Sequence, residues 1–535
     1  MHAVVLLESL AVAALTGQPA AEAERSFGDA SFIRLGGDSL QANALVAMAR
    51  DQLGVKLDVR ALLSDAPLAA VLSRAADGGS GHPRPVAWGR TPPDQQAADA
   101  VSSTERGIWL REQTIGALPY NLVFTCFIDG PLDADQLAAA LHATVARHEG
   151  LRTVFTEARG NLVRRVLPAS YRPHLQRYAH RDDEADFATA VRAIGAELGQ
   201  AAFDLSAAPP LRFAVVRGGP ARHALIMAAH HIVLDGWAVG VVLRELFARY
   251  DALATGSALD WPPATQPGEH LRQLDQLRRS GELDRQLAFW RRRLANVPTV
   301  LELPAERARP PFQEPQGARR AFDLGPAPSA AIRARARQLG LTTAAFLLAA
   351  SGLVLSRYTG ARTLLIGMPV AGRPTPALTG LVATTANLVP VLIEVDESLS
   401  AGTFLTRTQA SLADSLDNCA LPFAELAAAA NSSGTIDRHP VVQAALGVNT
   451  RLIPSRLTAG PLDVRVEEGH GGGAQFDLEL FIWQDDPSFS GALEYATSVW
   501  GEPEAIGYCA DIATAAEGLS GPPSTVLADV GPAKR

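Results

Sequence analysis

Cysteine is scarce. The 535-residue chain has three, Cys126, Cys419 and Cys509. They stand far apart and form no Cys-x-x-Cys pair, which argues against a disulfide framework and against any metal centre of zinc type. Lysine is scarcer still, occurring only as Lys56 and Lys534. The abundance of Arg and Ala beside it reads as a base-composition bias. Formal net charge is −8 and aromatics make up 6% of the chain. No basic stripe with interleaved aromatics appears, so no nucleic-acid partner is expected. No apolar run reaches the length that crosses a bilayer, so no membrane association is expected either. The start, Met1-His2-Ala3-Val4-Val5-Leu6-Leu7, is apolar only briefly, meets Glu8 and lacks a charged leader. It reads as an amphipathic helix and not as a signal peptide, which makes a cytoplasmic location the default. What the chain does have is 47% hydrophobic and 19% charged residues. That is the composition of a folded protein, at a length that supports several cores.

Residues 1–76 have the rhythm of a small helical bundle. An apolar segment runs from Val4 to Leu15 and stops at Gly17. A helix opens near Leu40, where Leu40, Ala44, Ala47 and Met48 share one face, and Gly54 follows it. Pro67 suits the first turn of a last helix, Leu68 to Ala75. Residues 77–99 change character. Gly78-Gly79-Ser80-Gly81-His82-Pro83-Arg84-Pro85 and Pro92-Pro93 make a linker. From 100 onward strands and helices alternate. Leu122 to Ile128 and His223 to Ala229 read as strands. Asp133 to His148 and Trp237 to Tyr250 read as helices. A charged helical stretch, His270 to Asn296, divides two halves of domain size, 100–275 and 276–520. The second half has a helix at Ala344 to Tyr358 and strands at Leu364 to Gly367 and Val389 to Val395. Residues 521–535, rich in Pro and Gly, read as a disordered tail.

Two motifs carry chemistry. In Leu35-Gly36-Gly37-Asp38-Ser39-Leu40, the serine sits at a loop-to-helix junction. The glycines permit close approach by another protein, and a helix N-terminus favours a phosphodiester. Taken alone, Asp38-Ser39 reads more readily as a helix cap. In His230-His231-Ile232-Val233-Leu234-Asp235-Gly236, two imidazoles end a strand and a carboxylate opens a helix. Histidine is the side chain best suited to take and return a proton near neutrality. A lone histidine at a strand end is more often structural, so this motif needs its context.

The context is a resemblance. Phe32 to Leu40 resembles the signature of peptidyl carrier proteins of nonribosomal peptide synthetases, with Asp38 a common variant. Several later segments resemble condensation domains of the same synthetases, in the family's order. They include Ser103 to Leu110, with Glu105-Arg106 in place of the usual Ala-Gln, then Tyr120-Asn121 and the close match Arg147 to Phe155. His230 to Gly236 with Trp237 fits the core motif. Ile366 to Arg373, Asn387-Leu388-Val389, Leu421-Pro422-Phe423 and Phe476-Asp477-Leu478 follow. Departures are the faint motif at Gly268 to Asp275, Thr385-Ala386-Asn387 in place of Phe-Val-Asn, and a degraded last motif at Val499-Trp500-Gly501.

The resemblance implies a multidomain chain: a small all-α four-helix carrier bundle, then an α/β condensation domain of two chloramphenicol-acetyltransferase-like lobes with a tunnel between them. It implies an acyltransferase that forms peptide bonds. Ser39 would carry 4′-phosphopantetheine and the donor thioester, and the amine of an acceptor aminoacyl thioester would attack it. His231 would position that amine and act as base, with His230 beside it in a structural part. Asp235 would pair with a cation, Arg152 or Arg373 being the candidates. Gly236 would keep the tunnel open or offer its N–H to the oxyanion. Implied partners are an upstream adenylation domain, a downstream acceptor carrier with its adenylation domain, and a phosphopantetheinyl transferase, around a monomeric chain. Two alternatives stay open: terminal release onto a free amine or alcohol, and a non-catalytic recruitment domain.

Overall fold

The computed structural model describes residues 2–16, 27, 29–37, parts of 41–53, 55–77, 100–158, 160–180, 186–304, 308–430, 436–449, 453–484 and 487–532. The expected linker falls almost wholly outside them, as does Ser39.

In the first unit the helices are His2–Thr16, Val59–Leu62 and Leu68–Asp77. Of the helix expected from Leu40, the described positions from Gln41 to Ala49 are helical. Leu7, Ala11, Leu45, Leu68 and Leu72 are fully buried together with Phe32 and Leu62. Within the first helix Leu7, Leu10, Ala11 and Ala14 are buried, and within the last Leu68, Val71 and Leu72, a spacing of three and four that presents one apolar stripe inward. Asp58 caps the short helix by accepting from the Arg60 amide (2.9 Å), and the Arg60 side chain reaches Asp414 (2.5 Å) on the helix Ala401–Leu416.

The remainder is built on two six-stranded sheets. The first runs β11 (Arg456–Ala459), β12 (Leu462–Glu468), β1 (Asn121–Asp129), β6 (Arg222–His230), β5 (Leu211–Arg217), β4 (Leu175–Ala179). The second runs β7 (Gly317–Asp323), β14 (Phe489–Ala496), β13 (Leu478–Gln484), β10 (Ala444–Asn449), β8 (Thr363–Val370), β9 (Asn387–Glu394). A hairpin of β2 (Thr153–Ala158) and β3 (Asn161–Val166) stands apart. Every residue of β6 from His223 to His230 is buried. Both faces of this strand are therefore covered, which explains its unbroken apolar run, Ala224 to Ala229. The sheets are not segregated by sequence. β12, far along the chain, lies antiparallel to β1, with Ile128 opposite Val464. The second half therefore hands two strands back to the first sheet.

Two readings of the sequence are corrected here. The stretch 270–296 is two helices, Pro267–Arg279 and Glu282–Leu294, because Gly281 between them adopts a left-handed φ of 77°. The tail is not disordered through Pro532. Leu527 and Val530 are buried, Ala401 and Gly402 donate to the carbonyls of Thr525 and Pro523, and Arg357 donates to the carbonyls of Leu527 and Pro532. Its prolines and glycines shape a packed strap.

Among the described residues no single helix is long and apolar enough to cross a membrane, and no three His, Cys, Asp or Glu side chains cluster as a metal site would need.

Removing the Leu527 side chain tests the strap. We expect Leu527→Ala to lose about 3 kcal/mol in urea unfolding, as buried leucines do; a disordered tail would leave the midpoint unmoved.

Candidate active site

The double-histidine segment leaves β6 in the middle of the first sheet. His230, the last residue of the strand, pairs across from Asn121 of β1. The His231 amide donates to the Tyr120 carbonyl (2.7 Å) and the His230 amide to that of Pro210 (3.0 Å). Tyr120-Asn121, singled out with the motif, thus supplies the backbone that holds it. After a tight turn Asp235 caps the helix Gly236–Thr255, its Oδ1 accepting from the Ala238 amide (2.8 Å).

Asp235 is buried and saturated. Arg373 Nη1 and Nη2 donate to its two oxygens (2.8 and 2.9 Å), a bidentate pair. The amides of Thr385 and Ala386 donate to Oδ2 at 2.9 and 3.0 Å. Burial pushes the carboxyl upward, but the Arg373 charge and these hydrogen bonds outweigh it and hold Asp235 below the ordinary aspartate range. Nη1 and Nη2 of Arg373 also donate to the carbonyls of Ala371 and Ala383. Arg373 and the residues round it belong to the segment joining β8 to β9. The pair therefore fastens the second sheet's connection to the first sheet's motif. Gly150 marks a second contact of the same kind, since a Cβ there would lie 2.2 Å from the Val382 carbonyl oxygen.

Arg152, the other candidate partner, is elsewhere. Its guanidinium donates to the carbonyls of Val145 and Leu167, so it braces the loop that carries Arg147 to Phe155 and does not reach Asp235. Its neighbour His148 pairs with Glu245 (3.0 Å).

His230 is fully buried, and burial lowers its pKa to about 3, with His231 adding a smaller push the same way. Its Nδ1 accepts from the Ile232 amide (3.2 Å), so the neutral ring carries its hydrogen on Nε2. That nitrogen lies 3.6 Å from Glu112, whose carboxyl burial raises to about 7. His231 differs from both neighbours in being only half-buried. Its Nδ1 stands 3.4 Å from Thr384 Oγ1. Gly236 opens the helix, and a Cβ there would stand in open space, its nearest neighbour the Ile453 methyl at 4.0 Å. Trp237 donates from Nε1 to the Thr379 carbonyl (2.7 Å).

Several residues of this site went unread in the sequence. Thr384 directly precedes the altered segment Thr385-Ala386-Asn387, in which Thr385 was noted only as a departure. Glu112 follows the opening motif, and His270 lies in the faint one. Burial lowers His270 to about 4, with Arg373 pushing the same way and Asp235 opposing. Its signal was a histidine inside the faint motif Gly268 to Asp275.

Comparison with known proteins decides the family. The model of the condensation domain matches residues 95–531, and that of the phosphopantetheine attachment site matches 11–74. The chain belongs to the condensation-domain family, with a carrier domain ahead of it. Its relatives are nonribosomal peptide synthetases. Phosphinothricin tripeptide synthetase PhsC of Streptomyces viridochromogenes is 32% identical over 423 residues, 77% of this chain and 38% of the relative. The dimodular nonribosomal peptide synthase of Bacillus subtilis is 31% identical over 497 residues, 88% of this chain and 20% of the relative. The chain thus spans less than half the length of these relatives. Among solved structures, the X-domain from teicoplanin biosynthesis superposes with a TM-score of 0.72 at 23% identity, covering 81% of this chain and 99% of that one. The first condensation domain of the calcium-dependent antibiotic synthetase gives 0.69 at 20% identity, covering 81% and 98%. Both share the two-lobed condensation-domain fold.

The attachment-site match makes covalent 4′-phosphopantetheine the cofactor of the carrier domain. The described residues ahead of Ser39 fit an arm that other enzymes must reach. Leu35 is exposed and Gly36, at φ 94°, has nothing within 4 Å of where a Cβ would stand. Gly37 lies against Phe32, which roots the loop in the bundle.

Two predictions concern the core of the site. Arg373→Ala leaves the Asp235 carboxylate buried without its cation, and we expect it to cost about 3–5 kcal/mol in urea unfolding. The double variant with Asp235→Ala should lose clearly less than the two single losses added; additive losses would mean the pair is not coupled. The second is a pH effect. His230 has a folded pKa of about 3, below its unfolded value of 6.5. Stability from the neutral ring is therefore complete above pH 6.5 and lost as pH falls toward 3. Relative to His230→Gln, the wild type should lose up to about 1.4 kcal/mol per pH unit through that window, read from urea midpoints at each pH.

Proposed function

We propose that this chain forms an amide bond between two carrier-tethered acyl groups. Phosphopantetheine on Ser39 holds the donor as a thioester, and the amine of an acceptor aminoacyl thioester attacks its carbonyl. Thiolate leaves, and the lengthened chain passes to the acceptor. One observation carries the reading: of His230, His231 and Asp235, only His231 is not fully buried, and its ring enters no ion pair among the described residues. His230 is buried and neutral, and Asp235 is consumed by Arg373 and the amides of Ala238, Thr385 and Ala386.

An α-amine of pKa about 8 is partly neutral at pH 7. His231 therefore positions it and takes the proton as the zwitterion forms, a contribution of about 10²–10⁴-fold. Tethering both reactants adds effective concentration, which removes much of the entropic barrier. Arg373 and Asp235 hold the turn that presents His231, and Gly236 keeps the space beside Ile453 clear. In this reading the chain works with an adenylation domain that supplies the donor, an acceptor carrier loaded by another, and a phosphopantetheinyl transferase that modifies Ser39.

The test loads Ser39 with a peptidyl-pantetheine and offers an aminoacyl acceptor carrier, following both proteins by intact mass. We expect transfer, and a fall of about 10²–10⁴-fold in His231→Ala. Loading at Ser39 with no transfer to any acceptor would overturn the reading, and release onto a free amine or alcohol would change it to terminal condensation.

A further inference from the structure

The Thr384 hydroxyl meets His231 twice. It donates to the backbone carbonyl of His231 and lies 3.4 Å from the ring Nδ1 of the same residue. A hydroxyl owns one hydrogen. With that hydrogen on the carbonyl, the oxygen can only accept from Nδ1, so Nδ1 must be the protonated nitrogen of the neutral ring. Nε2 is then left with its lone pair.

Thr384 has little freedom to do otherwise. It is buried, 3% exposed. On one side the Ala383 carbonyl accepts from Arg373 (3.1 Å), and on the other the amides of Thr385 and Ala386 donate to Asp235. The ion pair thus clamps the backbone on both flanks of this one side chain. The hydroxyl comes from the connection between β8 and β9, while the imidazole comes from the end of β6. One hydrogen bond therefore couples the protonation pattern of His231 to the seating of the opposite lobe.

We infer that Thr384 is a positioning residue that fixes His231 in the Nδ1–H tautomer and so makes Nε2 the nitrogen that accepts the proton. The inference rests on His231 acting as base, as proposed above. Thr384 directly precedes Thr385-Ala386-Asn387, where the resembled family usually has Phe-Val-Asn.

The full chain with 15N-labelled histidine tests it, the His231 ring signals being identified by their absence in His231→Gln. In the wild type at neutral pH we expect a protonated-type Nδ1 and an unprotonated-type Nε2. Thr384→Val should shift His231 toward a mixture of tautomers and lower kcat for transfer about tenfold at unchanged KM, the worth of one hydrogen bond. Thr384→Ser, which keeps the hydroxyl, should restore both. A wild-type ring protonated at Nε2, or a tautomer that Thr384→Val does not change, would overturn the inference even if that variant were slow. If the tautomer follows Thr384 while no variant and no wild type transfers a chain, the positioning role stands and the proposed function falls.

Discussion

The bidentate ion pair between Asp235 and Arg373 is the constraint on which the rest of the site depends. Taking two charges out of water costs several kcal/mol per ion, and only dense hydrogen bonding repays it. Here it is dense. Asp235 accepts from both Arg373 nitrogens and from the amides of Ala238, Thr385 and Ala386, while Arg373 donates onward to carbonyls on its own connection. The carboxylate does two tasks with one side chain: it caps the helix Gly236–Thr255 and receives the β8–β9 connection. A polar pair of this kind is satisfied in a single geometry, so it sets the register of one lobe's loop against the other lobe's turn more sharply than apolar contacts would.

Burial keeps several histidines of the two lobes uncharged. His230, His270 and His439 are all buried and their pKa values fall to about 3, 4 and 3, burial being the main cause in each. They stay neutral wherever the protein is folded near neutral pH. Glu112 moves the other way, to about 7, so near neutrality it is only partly charged beside the neutral His230. His230, next to His231 in the chain, and His270, which feels both Arg373 and Asp235, are thus neutral groups at the site.

What could be read from the chain, and what could not, divides along physical lines. Motifs made of unusual residue pairs at fixed spacing were legible: His230-His231 with Asp235, and Arg147 to Phe155. Choosing Arg373 over Arg152 was not, because both arginines lie in motifs and only tertiary structure shows that Arg152 is spent on the carbonyls of Val145 and Leu167. The strands that alternate or run apolar, such as β1 and β6, were visible. That β11 and β12 join the first sheet was not, since a strand's pattern says which face is buried and nothing about which sheet it enters. The strap after Leu519 was misread because proline and glycine mark irregular backbone, ordered or not. Ser39 was read from its motif and lies outside the described residues.

Threonine was the hardest signal, being common and chemically quiet, and it matters most where the family pattern breaks. Where Phe-Val-Asn is usual, this chain has Thr385-Ala386-Asn387. The asparagine keeps its wiring: Nδ2 donates to the carbonyls of Cys419 and Leu421, and Oδ1 accepts from the Phe423 amide. The Thr385 hydroxyl stands between Asp235 Oδ2 (3.2 Å) and the Ala371 carbonyl (2.9 Å). An aromatic ring at this position could fill space but could not reach either oxygen with a donor. The replacement therefore exchanges packing for hydrogen bonding at the point where the connection meets the ion pair. Together with Thr384 one residue earlier, it makes a polar latch from a segment that the family pattern leads one to expect apolar. Since buried polar groups cost free energy unless fully paired, such a latch persists only if the whole cage around Asp235 is in place. That makes the seating of one lobe on the other and the presentation of His231 a single event.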